Sequence, residues 1–339
     1  MGLSCSKKEA YAAGKLPVAS SSPAEPAPPT YADLPRIHAD AILGSWCLDG
    51  DRVVTCGADG VVAVSDVGAR TAVGIGKHAA SANRAVAAGD GVFVCSRDLT
   101  VARWDGRAAA APREAPLVFE GHELNVTAVA VDEGGATLAS GSRDYTVRTW
   151  DGETGAETAC CRVPRNVVTC AGWIPGTCTF AQGSEDLRLR VWDARDLRAA
   201  AAEVRGGYTF FPLALAARDT VVATSSKGFN GEGGEIRVWD LRKPDAQIAN
   251  LRGHTQDATG VAFISETRVL SASKDGTLKL WDLNENALVR DVRVGASGPV
   301  MYTGLSTGTG DLAAVATTFQ GGVLCLDADL DVVARVDPD

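Results

Sequence analysis

Four histidines are each followed downstream by an aspartate: His38 by Asp59, His78 by Asp98, His122 by Asp144 and His254 by Asp275. Hydroxyl side chains lie between them, among them Thr55, Ser140 and Ser271. These are the parts of an acyl-transfer site: an imidazole base, a carboxylate that orients it and a hydroxyl that attacks. A glycine-rich run at 227–234 suggests a second chemistry, phosphate held by backbone amides. That run lacks the G-x-x-x-x-G-K-[ST] pattern, and Glu235 to Trp239 after it reads as a strand rather than the required helix. It is expected to be a long hairpin loop. Nine cysteines, two of them adjacent at Cys160 and Cys161, suggest redox or metal chemistry. No C-x-x-C pair occurs and no histidine is near the adjacent pair in sequence. The expected state is therefore free thiols packed in strands in a reducing cytosol, with no metal or cofactor.

A repeat must position these residues. Five of the seven tryptophans are followed directly by aspartate: Trp104-Asp105, Trp150-Asp151, Trp192-Asp193, Trp239-Asp240 and Trp281-Asp282. Degenerate copies stand at Ser65-Asp66 and Leu326-Asp327. The spacing is about 40–45 residues, a period of stacked supersecondary units. The third unit ends Ser142-Arg143-Asp144-Tyr145-Thr146-Val147-Arg148-Thr149-Trp150-Asp151, and the sixth ends Ser273-Lys274-Asp275-Gly276-Thr277-Leu278-Lys279-Leu280-Trp281-Asp282. In both, a tight turn precedes alternating residues, the period-two mark of a strand.

This pattern resembles the WD-repeat (WD40) family over roughly residues 36–337. The resemblance implies an all-β, seven-bladed β-propeller with four strands per blade. It also implies a role for the histidines. In such blades His, Ser or Thr, Asp and Trp form a buried hydrogen-bonded tetrad, in which the histidine serves both the hydroxyl and the indole. The complete sets are His122, Ser140, Asp144, Trp150 and His254, Ser271, Asp275, Trp281. His78, Asp98 and Trp104 keep most of one, as do His38, Thr55 and Asp59, where Ser65 replaces Trp. The fourth repeat has Pro164 near the His place, the fifth has Gly206-Gly207 there and an insertion at the turn, and the seventh has Gln320 for Asp and Leu326 for Trp. Blades one, four, five and seven are expected to be less rigid, each lacking hydrogen bonds of about 0.5–1.5 kcal/mol net. A catalytic group is singular, whereas these histidines recur with the repeat, so no enzymatic activity is expected. Asp331 to Val336 alternates and should form the outer strand of blade seven, with Tyr31 to Ile37 lying beside it or adding a strand.

Residues 1–35 differ from the ring at 36–339. Ala19 to Thr30 is Ser, Pro and Ala, a composition that cannot offset ordering and reads as a disordered spacer. Before it stands Met1-Gly2-Leu3-Ser4-Cys5-Ser6-Lys7-Lys8, which fits the N-myristoylation pattern at Gly2. Cys5 is placed for palmitoylation, and Lys7, Lys8 and Lys15 would favour an anionic surface. The expectation is a peripheral attachment to a cytosolic membrane face.

Composition narrows the partners. The net charge is −9, which argues against nucleic acid. No stretch approaches a membrane span, and the N-terminus lacks the apolar region of a secretory signal. Propellers of the resembled family bind proteins, and no small-molecule substrate is expected. Residues before the turn aspartate project onto one face in that family, which nominates Arg97, Arg143 and Lys274, with Ala58 and Glu185 at the same place. Tyr208 and Phe210, Asn125 and Asp257 join them from loops. Three units end W-D-x-R, at Arg107, Arg195 and Arg242. Arg195 and Arg242 resemble the adaptor-contacting arginines of cullin-4 ubiquitin-ligase receptors. The string Phe229-Asn230-Gly231-Glu232-Gly233-Gly234 resembles the WD repeat-containing protein 31 subfamily of ciliary propellers.

Overall fold

The computed structural model describes residues 32–107, 115–163, 165–204, 207–243, 247–293, 300–310 and 312–336. Among them are seven blades of four antiparallel strands each, spanning 42–77, 82–119, 126–162, 168–204, 212–251, 258–292 and 302–336. No helix occurs among the described residues. This is the seven-bladed propeller. The alternation seen in the sequence becomes a pleat with both faces covered. In Thr146–Asp151, for instance, every residue but Arg148 and Asp151 is buried. A strand buried on both faces must pack against two neighbours, and seven apolar clusters fill the seven interfaces between blades.

Each innermost strand carries a bulge after its first residue. Four of the bulged residues fasten one blade to the next. Asn83 donates to the Val126 carbonyl at 2.7 Å, Thr127 to that of Val168 at 2.6 Å and Thr259 to that of Tyr302 at 2.8 Å. Thr303 donates to the Ile42 carbonyl and so joins blade seven to blade one. Serines 45 and 306 meet across the same seam at 3.2 Å.

Val332–Val336 is the outer strand of blade seven, as the alternation predicts. Ala32–Asp33 adds a fifth strand, parallel to it. The ring therefore begins ahead of residue 36. Leu34, just past that strand, is buried in the cluster between blades seven and one. The 227–234 insertion is a small hairpin, Gly228–Phe229 against Glu232–Gly233. Gly2, Cys5 and the tail lysines are outside the described residues, as are Pro164 and Gly206.

Candidate functional site

In blades two, three, four and six the third strand starts just after the turn aspartate and ends at Trp-Asp. Five or six residues at about 3.3 Å each separate those ends, so the turn and the Trp-Asp corner lie on opposite faces of the ring. The histidines lie beneath the turn face. In blade three, His122 Nδ1 is 2.9 Å from Asp144 and Nε2 is 2.7 Å from Ser140 Oγ. Trp150 Nε1 donates to the same Oγ at 2.8 Å. Blade six repeats this with 3.0, 2.7 and 2.8 Å for His254, Ser271, Asp275 and Trp281. The indole thus binds the serine and not the imidazole, which corrects the expected wiring. Each hydroxyl accepts from Trp and donates to Nε2, while Nδ1–H donates to the carboxylate. Both groups are buried, so the fold closes the serine hydroxyl and the imidazole off from solvent. In blade two His78 keeps Asp98 at 2.9 Å, and its Nε2 meets the Val94 carbonyl at 3.1 Å. In blade one His38 is 3.2 Å from Asp59 and 2.8 Å from Thr55.

Blades four and five rebuild part of the tetrad from other residues, so the expected loss of hydrogen bonds is only partial there. In blade four Asn166 takes the histidine place and Gln182 the serine place. Gln182 accepts from Trp192 Nε1 at 3.2 Å and donates to Asn166 at 3.2 Å. Arg190 pairs with Asp186 at 2.6 Å. In blade five Tyr208 stands for histidine: its hydroxyl is 2.7 Å from Thr224 and accepts from Trp239 at 3.1 Å. Buried Glu235 pairs with buried Arg237 and, at 2.9 Å, with Arg252. Tyr208 is therefore core and unavailable to a partner, because its ring fills the space of the missing imidazole. Burial pushes its hydroxyl well above the ordinary range despite its hydrogen bonds from Thr224 and Trp239.

The tetrads set an acid limit on the fold. Burial works to raise the Asp144 and Asp275 carboxyls. Hydrogen bonds from the histidine, from Thr146 or Thr277, and from a loop amide outweigh it and hold both well below the usual range. Asp59, Asp98 and Asp186 are lowered by the same opposition. A carboxyl that binds protons less readily when folded adds stability above its unfolded value of about 3.9 and loses it as pH falls. His38 is lowered by burial, against the pull of Asp59, so its contribution declines from about pH 6.5 downward. Urea midpoints should therefore fall gently below pH 6.5 and steeply below pH 4. Asp144→Asn should lower the neutral midpoint and flatten the acid limb; an unchanged limb contradicts this assignment.

On the turn face the structure separates the predicted residues. Arg97 and Arg143 are exposed, and no described carboxylate lies in ion-pair range of either. Lys274 is exposed but pairs with Asp257 at 2.8 Å, and Asp257 also accepts from the Gly228 amide. That pair pins the blade-five hairpin to blade six. Phe210 is half-buried against Gly233 of the hairpin, while Phe229 at its tip is exposed.

Sequence reading missed the residues that follow the turn aspartate. In blades one, six and seven this place holds Gly60, Gly276 and Gly321, with φ of 78°, 81° and 84°. In the consecutive blades two, three and four it holds Leu99, Tyr145 and Leu187, at φ of 78°, 68° and 65°. The left-handed region costs a residue with a Cβ roughly 1–2 kcal/mol. All three side chains are nonetheless exposed, as is Leu124 in the adjoining loop of blade three. Aligning the repeats on their aspartates would have found them.

Arg195 and Arg242 lie on the opposite face, past the Trp-Asp corners. Each is exposed and forked onto its own aspartate, Asp193 and Asp240, at 2.6 and 2.7 Å. The arginine hydrogen bonds hold both carboxyls down at about 2.

A family model described as "WD domain, G-beta repeat" matches residues 114–151 and 246–282, which contain the two complete tetrads. Nuclear distribution protein nudF of Aspergillus niger is 26% identical over 53% of the chain and 31% of that protein. E3 ubiquitin-protein ligase COP1 of Arabidopsis thaliana is 35% identical over 23% of the chain and 11% of that protein. The chain thus matches well under half the length of either relative. Among solved structures, the WD40 β-propeller domain of Doa1 superposes with a TM-score of 0.71 at 16% identity, covering 84% of this chain and 92% of that one.

Proposed function

We propose that the chain, which carries WD40 repeats on a WD40 propeller fold, is a non-enzymatic protein-interaction scaffold. Its binding surface is the turn face of blades two to four, and its partner is a protein segment that alternates acidic and apolar residues. One observation carries this reading: three consecutive turns place a large apolar side chain where a glycine would be unstrained. Such strain persists where it serves a site. The guanidiniums of Arg97 and Arg143, with no described carboxylate in ion-pair range, stand two residues before Leu99 and Tyr145, in a chain of net charge −9. They favour a partner's carboxylates, and the adjacent apolar groups supply contact area.

The Met1-Gly2 motif, Cys5 and the nearby lysines support attachment of this scaffold to a cytosolic membrane face by acylation. The exposed Arg195 and Arg242, together with the likeness to a protein named as a ubiquitin ligase, favour a second reading as a soluble cullin-4 substrate receptor. A cilium-associated scaffold rests on the short blade-five string alone. Capture from cell extract separates these readings. Arg97→Glu combined with Arg143→Glu should reduce partner recovery at least tenfold, while Arg195→Ala with Arg242→Ala leaves it unchanged. Loss of a cullin adaptor with only the second pair would favour the receptor. Gly2→Ala should move the protein from membrane to soluble fractions, and identical fractionation would remove the tether.

A further inference from the structure

The inner strands of all seven blades enclose an axial cavity of about 470 Å³, within the range of small-ligand sites. The repeat provides its own comparison there. The residue just past each inner bulge is Gly44, Arg84, Ala128, Cys170, Ala214, Gly260 or Gly304. Six blades use a small residue, and blade two alone uses an arginine. Arg84 crosses the cavity and donates to the Leu213 carbonyl of blade five at 2.8 Å. No described carboxylate lies in ion-pair range of it. The thiols near it, Cys95 and Cys170, are pushed up by burial to about 12 and 11 and supply no countercharge. The other charged groups that line the cavity are already engaged. Asp132 accepts from the Thr137 amide, Glu133 from the Gly176 amide, and Arg218 is held by the carbonyls of Ser265 and Glu266 and stacks on Phe263. A half-buried cation with a single carbonyl partner is costly unless an anion completes it.

The two tryptophans outside the Trp-Asp pairs, Trp46 and Trp173, both line this cavity. Trp173 is fixed by stacking on Phe180 at 6.0 Å and by its bond to the Thr177 carbonyl. Trp46 is 39% exposed. We propose that the axial cavity binds a small organic anion with a flat apolar body, its oxyanion on Arg84 and its body against Trp46 and Trp173. This site is independent of the turn face and of the partner it takes.

The probe is 8-anilinonaphthalene-1-sulfonate, titrated into the full-length chain with excitation of tryptophan. One saturable site per chain is expected, with emission transferred from the indoles. Arg84→Met should weaken the sulfonate at least tenfold and leave uncharged N-phenyl-1-naphthylamine unchanged, whereas Trp46→Ala should weaken both. Should Arg84→Met fail to fold, displacement from the wild type decides: 2-naphthoate should compete and 2-naphthalenemethanol should not. Non-saturable binding, equal competition by the two, or sulfonate affinity indifferent to both substitutions would overturn the site.

Discussion

Replacing Trp150 with alanine should lower the unfolding free energy by about 3–5 kcal/mol, read as a shift of the urea midpoint of the full chain. Trp150 is 1% exposed and lies edge-on to Phe119 of the neighbouring blade and to His122, each about 6 Å away between centroids. Truncation removes the largest side chain of the cluster between blades two and three. It also takes the donor from Ser140 Oγ. Ser140→Ala leaves the packing in place but strands the indole N–H and the imidazole nitrogen. It should cost less, about 1–3 kcal/mol. If Trp150→Ala shifted the midpoint no more than a surface substitution does, the tetrad would not be holding the blade together.

Ending the chain at Asp331 should be as damaging by another route. The deletion removes Val332–Val336, the outer strand of blade seven and the partner of Ala32–Asp33. It uncovers Val323–Leu326, which is buried along its whole length. Blade seven would then present an unpaired apolar edge beside the seam to blade one, where Thr303 and Ile42 join the ring. The midpoint of thermal unfolding, followed by tryptophan emission, should fall by roughly 10 °C or more. A variant beginning at Tyr31 keeps both strands and should melt within a degree or two of the full chain. Equal melting of the two truncations would mean that the ring does not close through this strand.

The ring itself was largely legible because its determinants are local and repeated. Trp-Asp marks five third strands, degenerate copies at Ser65-Asp66 and Leu326-Asp327 mark the other two, and the seven together fix the blade count. The closing strand could be read for the same reason. The rebuilt tetrads could not. Asn166 and Gln182, or Tyr208 and Thr224, are ordinary polar residues in sequence, and their roles appear only when the fold brings them under Trp192 and Trp239. Tyr208 reads as a loop aromatic in sequence, yet it is buried. Lys274 resembles Arg143 in sequence position, but Asp257 across the turn neutralises it. Arg84 was invisible because nothing local distinguishes it. Its meaning comes from six small residues at the same height in the other blades and from a carbonyl across the axis.

The histidines and serines that look most like chemistry are buried as supports, and function is assigned to a surface built from turn residues. Partner capture, normalised to folded protein, tests that division most directly when Arg97→Glu with Arg143→Glu is compared with Ser140→Ala. The surface variant should melt like the wild type and lose its partners. The tetrad variant should melt lower and, below its transition, keep them. Partners retained by the surface variant and lost by folded Ser140→Ala would contradict the assignment of function to the turn face.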